Sequence, residues 1–449
     1  MSHPSVDPTQ VLEEARREGV RFVILRFTDI LGTPKGVTIP LEDLPEAIET
    51  GKWFDGSAIE GFARVAESDL YLKPDLSTFT ILPWTRGQGT TAHVICWVVN
   101  RRGERFAGDP RAVLARVMER AAAMGYTYVV SPELEFYLFQ AAEGGRFAPA
   151  PHDGVGYFDL TTDLAYQVRC EMVDTLRALG IPAGPGHHEI SPGQHEIDFQ
   201  PADALRMADY IVTARLVIKH VAQAHGLHAT FMPKPMEGRA GSGMHTHQSL
   251  LDARDGRNAF ADPEDDYGLS PLAKAFMAGQ IAHARGMCAI LCPLVNSYKR
   301  LLGGFEAPPY VTWARINRSA LIRVPAIKPG RYQSTRIELR SLDPACNPYL
   351  AFAAMLAAGL DGIERRLPLP PPVEEELFPM ETAELEARGI QRLPITLGEA
   401  LQALEADPVL QDALGPLAAE RFLEAKRLEW EAYCRHISPW EIDRYFQVY

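Results

Sequence analysis

One nine-residue run limits the folding choices of this chain more than any other: Ser131 to Phe139, SPELEFYLF. Its context is strongly strand-like, and alternate side chains of a strand share a face, so Glu133 and Glu135 project together. Two carboxylates paired in this way inside an apolar strand repel one another unless something cationic holds them. Alone, the pair reads as an exposed edge strand with acidic gatekeepers. That reading weakens because similar constellations recur along the chain.

The segment GHHEISPGQHEIDF sets Glu189 and Glu196 on either side of a Pro-Gly turn, which can bring both carboxylates to one site. In STRIELRSLDP, Arg336, Glu338 and Arg340 alternate and share a face. In AGSGMHTHQSL, a Gly-rich loop delivers His245 and His247 onto a strand. Five glutamates with one or two histidines suit hard or borderline cations such as Mg²⁺ or Mn²⁺. Zinc would more often bring His and Cys dominance. Arginines in NSYKR, NRS, LIRVP and RIELR complete a site for metals, phosphates and a carboxylate substrate, because the guanidinium fork pairs bidentately with such oxygens.

Composition excludes several other classes. Across 449 residues, 58 Asp+Glu against 45 Lys+Arg give a net charge of −13, with no basic block to neutralise nucleic-acid phosphates. Hydrophobic residues at 46% and charged residues at 23% are those of a globular enzyme, not of a disordered, collagenous or coiled-coil chain. The longest apolar run, Leu350 to Leu360, is well short of the roughly 20 residues that cross a bilayer. The start lacks the apolar core of a signal peptide. Six scattered cysteines without a C-x-x-C pair fit a reducing cytoplasm, and Cys288 and Cys292, one helical turn apart, read as buried thiols. There is no G-x-x-x-x-G-K-[ST] and no G-x-S-x-G. The glycine run at Gly87 and Gly89 leads into a strand, so it reads as a loop and not a dinucleotide motif.

The chain divides into residues 1–105, a small β-rich domain, and residues 106–449, a larger domain opened by a helix with Asp109 as N-cap and Pro110 in its first turn. Strands and long Ala/Leu-rich helices follow without βαβ regularity, which favours an α+β fold.

Taken in order, WFDGSAIEGF, PELEFYLF, HHEISPGQHEIDF, FMPKP with GSGMHTHQSL, NSYKRL with GFEAP, NRSALIRVP and RIELRSLDPACNPYLAFAAMLAAGLDG closely resemble bacterial type I glutamine synthetase of the non-adenylylated, feedback-inhibited branch. The resemblance implies an N-terminal β-grasp domain and a catalytic domain with a curved antiparallel sheet and surrounding helices. It implies sites shared between the subunits of a homo-oligomer, a dodecamer of two hexameric rings held partly by the tail SPWEIDRYFQVY. It also implies ATP-dependent ligation of ammonium to glutamate through a γ-glutamyl phosphate.

Carried over by motif, Glu135, Glu189 and Glu196 would hold one Mg²⁺ or Mn²⁺, and Glu133, His245 and Glu338 a second. Glutamate would meet Arg300, Arg340, Gly241, Glu135 and His245. ATP and its phosphates would meet Phe199, His247, Ser249, Arg318, Arg323 and Arg336. Asp55 would serve the ammonium site from a neighbouring subunit, Glu306 would be the flap glutamate, Arg318 would also act in catalysis, and Arg64 would transmit feedback by glutamine. The stretch VEEELFPMETAELEARG has no tyrosine to adenylylate. Three positions depart from the family pattern: Ala58 replaces the second serine of DGSS, Gly184 a glutamate near the nucleotide, and Ala240 an asparagine beside the amino acid. They keep open a γ-glutamyl ligase for a larger amine, while the filled ligand set speaks against a catalytically dead scaffold. No nucleic-acid or membrane partner is expected.

Overall fold

The computed structural model describes residues 6–59, 69–87, 89–140, 151–154, 156–159, 162–302, 307–317, 319–377, 380 and 382–449. Glu306, Arg318 and Arg64 lie outside the described residues, as does the side chain of Ala58.

The N-terminal part is a six-stranded mixed sheet. Helix α1 (Pro8–Arg17) precedes β1 (Phe22–Thr28) and β2 (Pro34–Pro40); α2 (Leu44–Thr50), β3 (Lys52–Asp55), β4 (Asp69–Pro74), β5 (Thr80–Ile81) and β6 (Thr91–Val99) follow. The strand order is β2-β1-β6-β4-β3, with β5 on β6 and a parallel pairing of β1 with β6. This is the β-grasp arrangement that the resemblance implied. One face buries Val23, Leu25, Val94, Cys96 and Val98 in a core of its own.

Helix α3 (Pro110–Ala123) opens the larger part as the sequence predicts: the Asp109 carboxylate accepts from Arg111 N at 3.0 Å, and Pro110 fills the first turn. Then come β7 (Tyr126–Gln140), α4 (Tyr166–Ala178), β8 (Ala183–His188), β9 (Gln194–Phe199), β10 (Ala202–Asp203), α5 (Ala204–Ala224), β11 (Leu227–Thr230) and β12 (Thr246–Asp252). After α6 (Pro271–Ala282), α7 (Ala284–Leu291) and α8 (Ser297–Leu301), strands β13 (Tyr310–Ala314), β14 (Ala320–Arg323) and β15 (Ile337–Leu339) lead to α9 (Pro348–Arg365). The nine-stranded sheet runs β13-β14-β15-β12-β7-β9-β8, with β10 and β11 also on β7. Its pairings are antiparallel, as expected, except that β13 and β14 run parallel, so the sheet is mixed.

In the main core α3, α4 and α5 pack on this sheet, and α9, buried from Pro348 to Gly362, packs against α3, α5, α6 and α7. Cys288 and Cys292 are buried there, as read. The two parts are bolted together by charge: Arg111 pairs with Asp209 (2.9 Å) and with Asp75 of the N-terminal part (2.8 Å), and Tyr349 Oη donates to Asp209 at 2.7 Å. Among the described residues no helix is long and apolar enough to cross a membrane.

Candidate active site

Strand register builds the site. Directly paired residues on adjacent strands share a face, and so do residues two apart along one strand. Arg323 pairs with Glu338, and Glu338 with His247. His247 pairs with Ser131 on β7, two residues before Glu133. Glu133 pairs with Asp198, Glu135 with Glu196, and Glu196 with His187. One face of the sheet therefore carries, across six strands, a continuous row of carboxylates, imidazoles and guanidinium groups.

Near the middle of that row Glu133, His245 and Glu338 offer ligand atoms all within 4.8 Å of one another. His245 Nδ1 stands 3.4 Å from Glu133 Oε2 and 3.7 Å from Glu338 Oε1. His247 is oriented by its partners: Arg336 Nε donates to Nδ1 at 3.3 Å, so the ring hydrogen sits on Nε2 and is donated to Glu133 Oε1 at 2.9 Å. Burial would raise the Glu133 carboxyl, but hydrogen bonds from His245 and His247 hold it well below the usual range. Glu338 is also shifted down; against burial, His247, His245 and Arg340 favour its ionised form. It is flanked by Arg323 Nη1 (2.5 Å) and Arg340 Nε (3.2 Å).

On the other side Glu135 and Glu196 face each other across β7 and β9. Glu135 Oε2 accepts from Gln194 Nε2 (2.9 Å) and Gly243 N (3.0 Å), which fixes the carboxylate and leaves Oε1 for a ligand. A Cβ on Gly243 would lie 2.6 Å from Arg300 Nη2, 3.1 Å from His245 Nε2 and 3.2 Å from Glu135 Oε1, so a larger residue there would displace the Arg300 guanidinium. His187 lies between Glu189 Oε1 (3.5 Å from Nδ1) and Glu196 Oε1 (3.2 Å from Nε2), so the two turn-flanking glutamates converge on one imidazole. Burial, then Glu135, Glu133, Glu189 and Asp198, push the Glu196 carboxyl up to about 12. Such crowded acids are relieved by a cation, and an oxygen-rich set with single imidazoles fits Mg²⁺ or Mn²⁺. The compact three-group set on this side is His187, Glu196 and Asp198.

Sequence reasoning passed over His187, Gln194 and Asp198, although Asp198 follows Glu196 at the two-residue period that marks a shared face. A cavity of about 520 Å³ adjoins the row, bounded by Glu133, Gly184, Asp198, His247, Ser249 and Arg336, a size suited to a nucleotide-sized ligand. Phe199 also borders it, but its ring is in the core on the opposite face; what it offers the cavity side is its carbonyl, which accepts from Ser131 Oγ at 2.5 Å. Arg300 is buried, with Nη1 donating to the Ser341 (2.7 Å) and Leu342 (3.1 Å) carbonyls and Nη2 to that of Arg340 (3.1 Å). The Ala240–Gly241 loop docks on β7 and β9: Tyr137 Oη donates to the Ala240 carbonyl (2.6 Å) and Gln194 Nε2 to that of Gly241 (3.2 Å). Asp55 lies apart, exposed at the end of β3, where its Oδ1 accepts from Ser57 N (3.0 Å) and Oγ (2.7 Å).

Comparison with known proteins follows the same outline. The family model described as "Glutamine synthetase, catalytic domain" matches residues 107–445, and "Glutamine synthetase, beta-Grasp domain" matches residues 19–101. A glutamine synthetase of Halobacterium salinarum is 49% identical over 441 residues, covering 98% of this chain and 96% of its own. One of Staphylococcus aureus is 48% identical over 437 residues, 97% of each chain. The solved structure "GmaS/ADP complex-Conformation 1" superposes with a TM-score of 0.87 at 34% identity, over 97% of this chain and 99% of that one.

Proposed function

The chain belongs to the glutamine synthetase family, and from that premise we propose that it joins ammonium to the γ-carboxylate of L-glutamate, with ATP as phosphoryl donor, giving L-glutamine, ADP and phosphate. The observation that carries this reading is the single row of acids and imidazoles across the sheet, with the nucleotide-sized cavity beside it.

A carboxylate is a poor electrophile, so the γ-carboxylate is first phosphorylated by ATP and then attacked by ammonia. In this reading Glu133, His245 and Glu338 hold one divalent cation, and Glu135, Glu189 and Glu196 a second. Cations held there would supply positive charge to offset that of the phosphoryl group. Arg323 and Arg336 add fixed positive charge along the row, and Arg318 is assigned the same phosphate-facing role. His247, Ser249 and the Phe199 carbonyl border the nucleotide. Arg300, Arg340 and the Gly241 backbone orient the glutamate carboxylates. Glu306 is assigned the flap role of excluding water, and Asp55 of a neighbouring subunit that of binding ammonium and helping remove its proton.

The assembly is read as a cytoplasmic dodecamer of two hexameric rings, supported by Trp440, Phe446 and Val448, which stand exposed at 63, 77 and 72% near the end of the chain. Arg64 is assigned the glutamine-feedback role.

A larger amine as acceptor is the second reading, favoured by Ala58 in the latch. The relatives at 48–49% identity carry the name glutamine synthetase, which weighs towards ammonium. Phosphate release from ATP and glutamate, with ammonium, methylamine or putrescine and with or without Mg²⁺ or Mn²⁺, tests both. Release that needs metal and is fastest with ammonium is the expected result. Faster release with either organic amine would overturn the ammonium assignment, and release without metal would overturn the metal assignment.

A further inference from the structure

We propose that Asp153 is a positioning residue that holds the turn between β8 and β9 in the shape its two glutamates need; this rests on the reading of Glu189 and Glu196 as metal ligands. Behind the acidic row, on the opposite face of β8 and β9, stand His188 and His195, both buried. Asp153 reaches in from the segment that follows the Phe139–Pro151 bridge, and its side chain is 1% exposed. Its Oδ1 accepts from Gly193 N at 2.9 Å and faces His188 Nε2 at 3.3 Å, while Oδ2 lies 2.8 Å from His152 Nε2. The other nitrogen of His188 reaches the Glu189 carbonyl at 2.7 Å. His188 thus spans the gap between Asp153 and the backbone of Glu189 and ties one to the other.

One carboxylate therefore grips the turn at two places. His188 immediately precedes Glu189, and Gly193 lies three residues before Glu196. Gly193 sits at φ +72°, and a Cβ there would come within 2.7 Å of the Leu138 carbonyl, so the turn is already pressed onto β7 where Asp153 meets it. Ligand atoms of His152, Asp153 and His195 also lie within 4.8 Å of one another, yet the chemistry opposes a metal at that point. Arg169 Nη1 donates to His195 Nδ1 at 3.1 Å and is itself paired with Asp163. A neutral ring accepting at Nδ1 carries its hydrogen on Nε2 and has no second lone pair to give. The cluster is a clamp.

Groups that orient metal ligands are worth roughly 10–100-fold in metal affinity. The test is Mn²⁺ binding to the full chain, followed by calorimetry and by the spin resonance of free Mn²⁺. Each Asp153 variant is made in the wild-type and Glu338→Ala backgrounds; the second removes a ligand of the other centre. Asp153→Ala is expected to weaken one Mn²⁺ by about 10–100-fold, to leave the other within about twofold, and to show its full effect in the Glu338→Ala background. Asp153→Asn keeps an oxygen for Gly193 N and is expected to recover part of the loss. Equal weakening of both Mn²⁺ ions, or no weakening of either, in both Asp153 variants would overturn the clamp. Wild-type protein that takes up no Mn²⁺ would overturn the ligand reading beneath it.

Discussion

The side-chain amide of Gln194 donates from one nitrogen to two acceptors, Glu135 Oε2 at 2.9 Å and the Gly241 carbonyl at 3.2 Å. Its Oε1 accepts from Ser191 N at 3.4 Å, and the residue is 1% exposed. A residue assigned to a metal and a loop assigned to glutamate thus hang from a single group. Replacing Gln194 by Leu leaves both acceptors buried without this donor. The metal concentration for half-maximal activity and the KM for glutamate are expected to rise together, each by roughly 10-fold or more. Activity titrations against Mg²⁺ and against glutamate check this; a rise in one constant alone would separate the two roles.

Glu338 is 2% exposed and sits between Arg323, Arg340 and His247. Glu338→Ala removes the carboxylate assigned to a metal and leaves two guanidinium groups around an empty volume. Loss of activity by about 10²–10³-fold is expected, the scale for deleting one fixed electrostatic group from a reacting centre. Phosphate release at saturating Mn²⁺ measures it, and light scattering verifies that the variant still assembles.

Much of this site was legible because strands have a fixed period of two. That period alone put Glu133 with Glu135, and Glu338 with Arg336 and Arg340. It does not say which strand lies beside which. Nothing in STRIELRSL announces that Glu338 will stand between Arg323 and His247, since that register depends on β15 lying between β14 and β12. The parallel pairing of β13 with β14 is invisible for the same reason. Buried charge pairing was equally hidden: Arg111 reads as one more polar residue of an N-capped helix until Asp75 and Asp209 arrive from distant segments.

Gly184 is one of the three departures read from the sequence, and its neighbour on β9 sets what a larger residue would meet. A Cβ at 184 would lie 3.3 Å from both Asp198 Cβ and the Asp198 carbonyl, at the edge of the cavity. In Gly184→Glu a second carboxylate would face Asp198, a like-charge pairing that costs about 1 kcal/mol across a strand pair. The KM for ATP is expected to rise roughly fivefold, while Gly184→Ala, which adds the contact without the charge, changes it less. Initial rates over a range of ATP concentrations distinguish them.

His283 links three helical segments far from the row. Nδ1 lies 2.7 Å from Asp407 and Nε2 3.1 Å from Asp361, which also accepts from Arg365 at 3.0 Å. Burial alone would lower its pKa, but hydrogen bonds to Asp407 and Asp361 raise it above the ordinary value. A pKa raised on folding contributes stability that is fully present below the unfolded value, about 6.5, and is lost as pH climbs through the folded one. His283→Gln is therefore expected to lower Tm most at pH 6, by an amount corresponding to about 2 kcal/mol, with the gap to wild type narrowing by pH 9. Thermal scans at fixed protein concentration across that range check the sign, and a gap that widens with pH would contradict it.

Asp55 sits at the end of a strand of the N-terminal sheet, exposed and bonded to Ser57, whereas the acidic row belongs to the other sheet. If Asp55 serves a site, the separation fits a site on a neighbouring subunit. Complementation follows from that geometry. Asp55→Ala subunits keep an intact row but offer no latch carboxylate, and Arg340→Ala subunits offer the latch but carry a damaged row. In the proposed ring, mixed assemblies would contain some junctions where an intact row meets an intact Asp55, so dissociating and reassembling equal amounts of the two variants is expected to restore up to about a quarter of wild-type activity, the chance that both partners at a junction are the competent ones. Native mass spectrometry would verify that hybrids formed. Verified hybrids with no activity would place Asp55 outside the reaction, or within its own subunit's site.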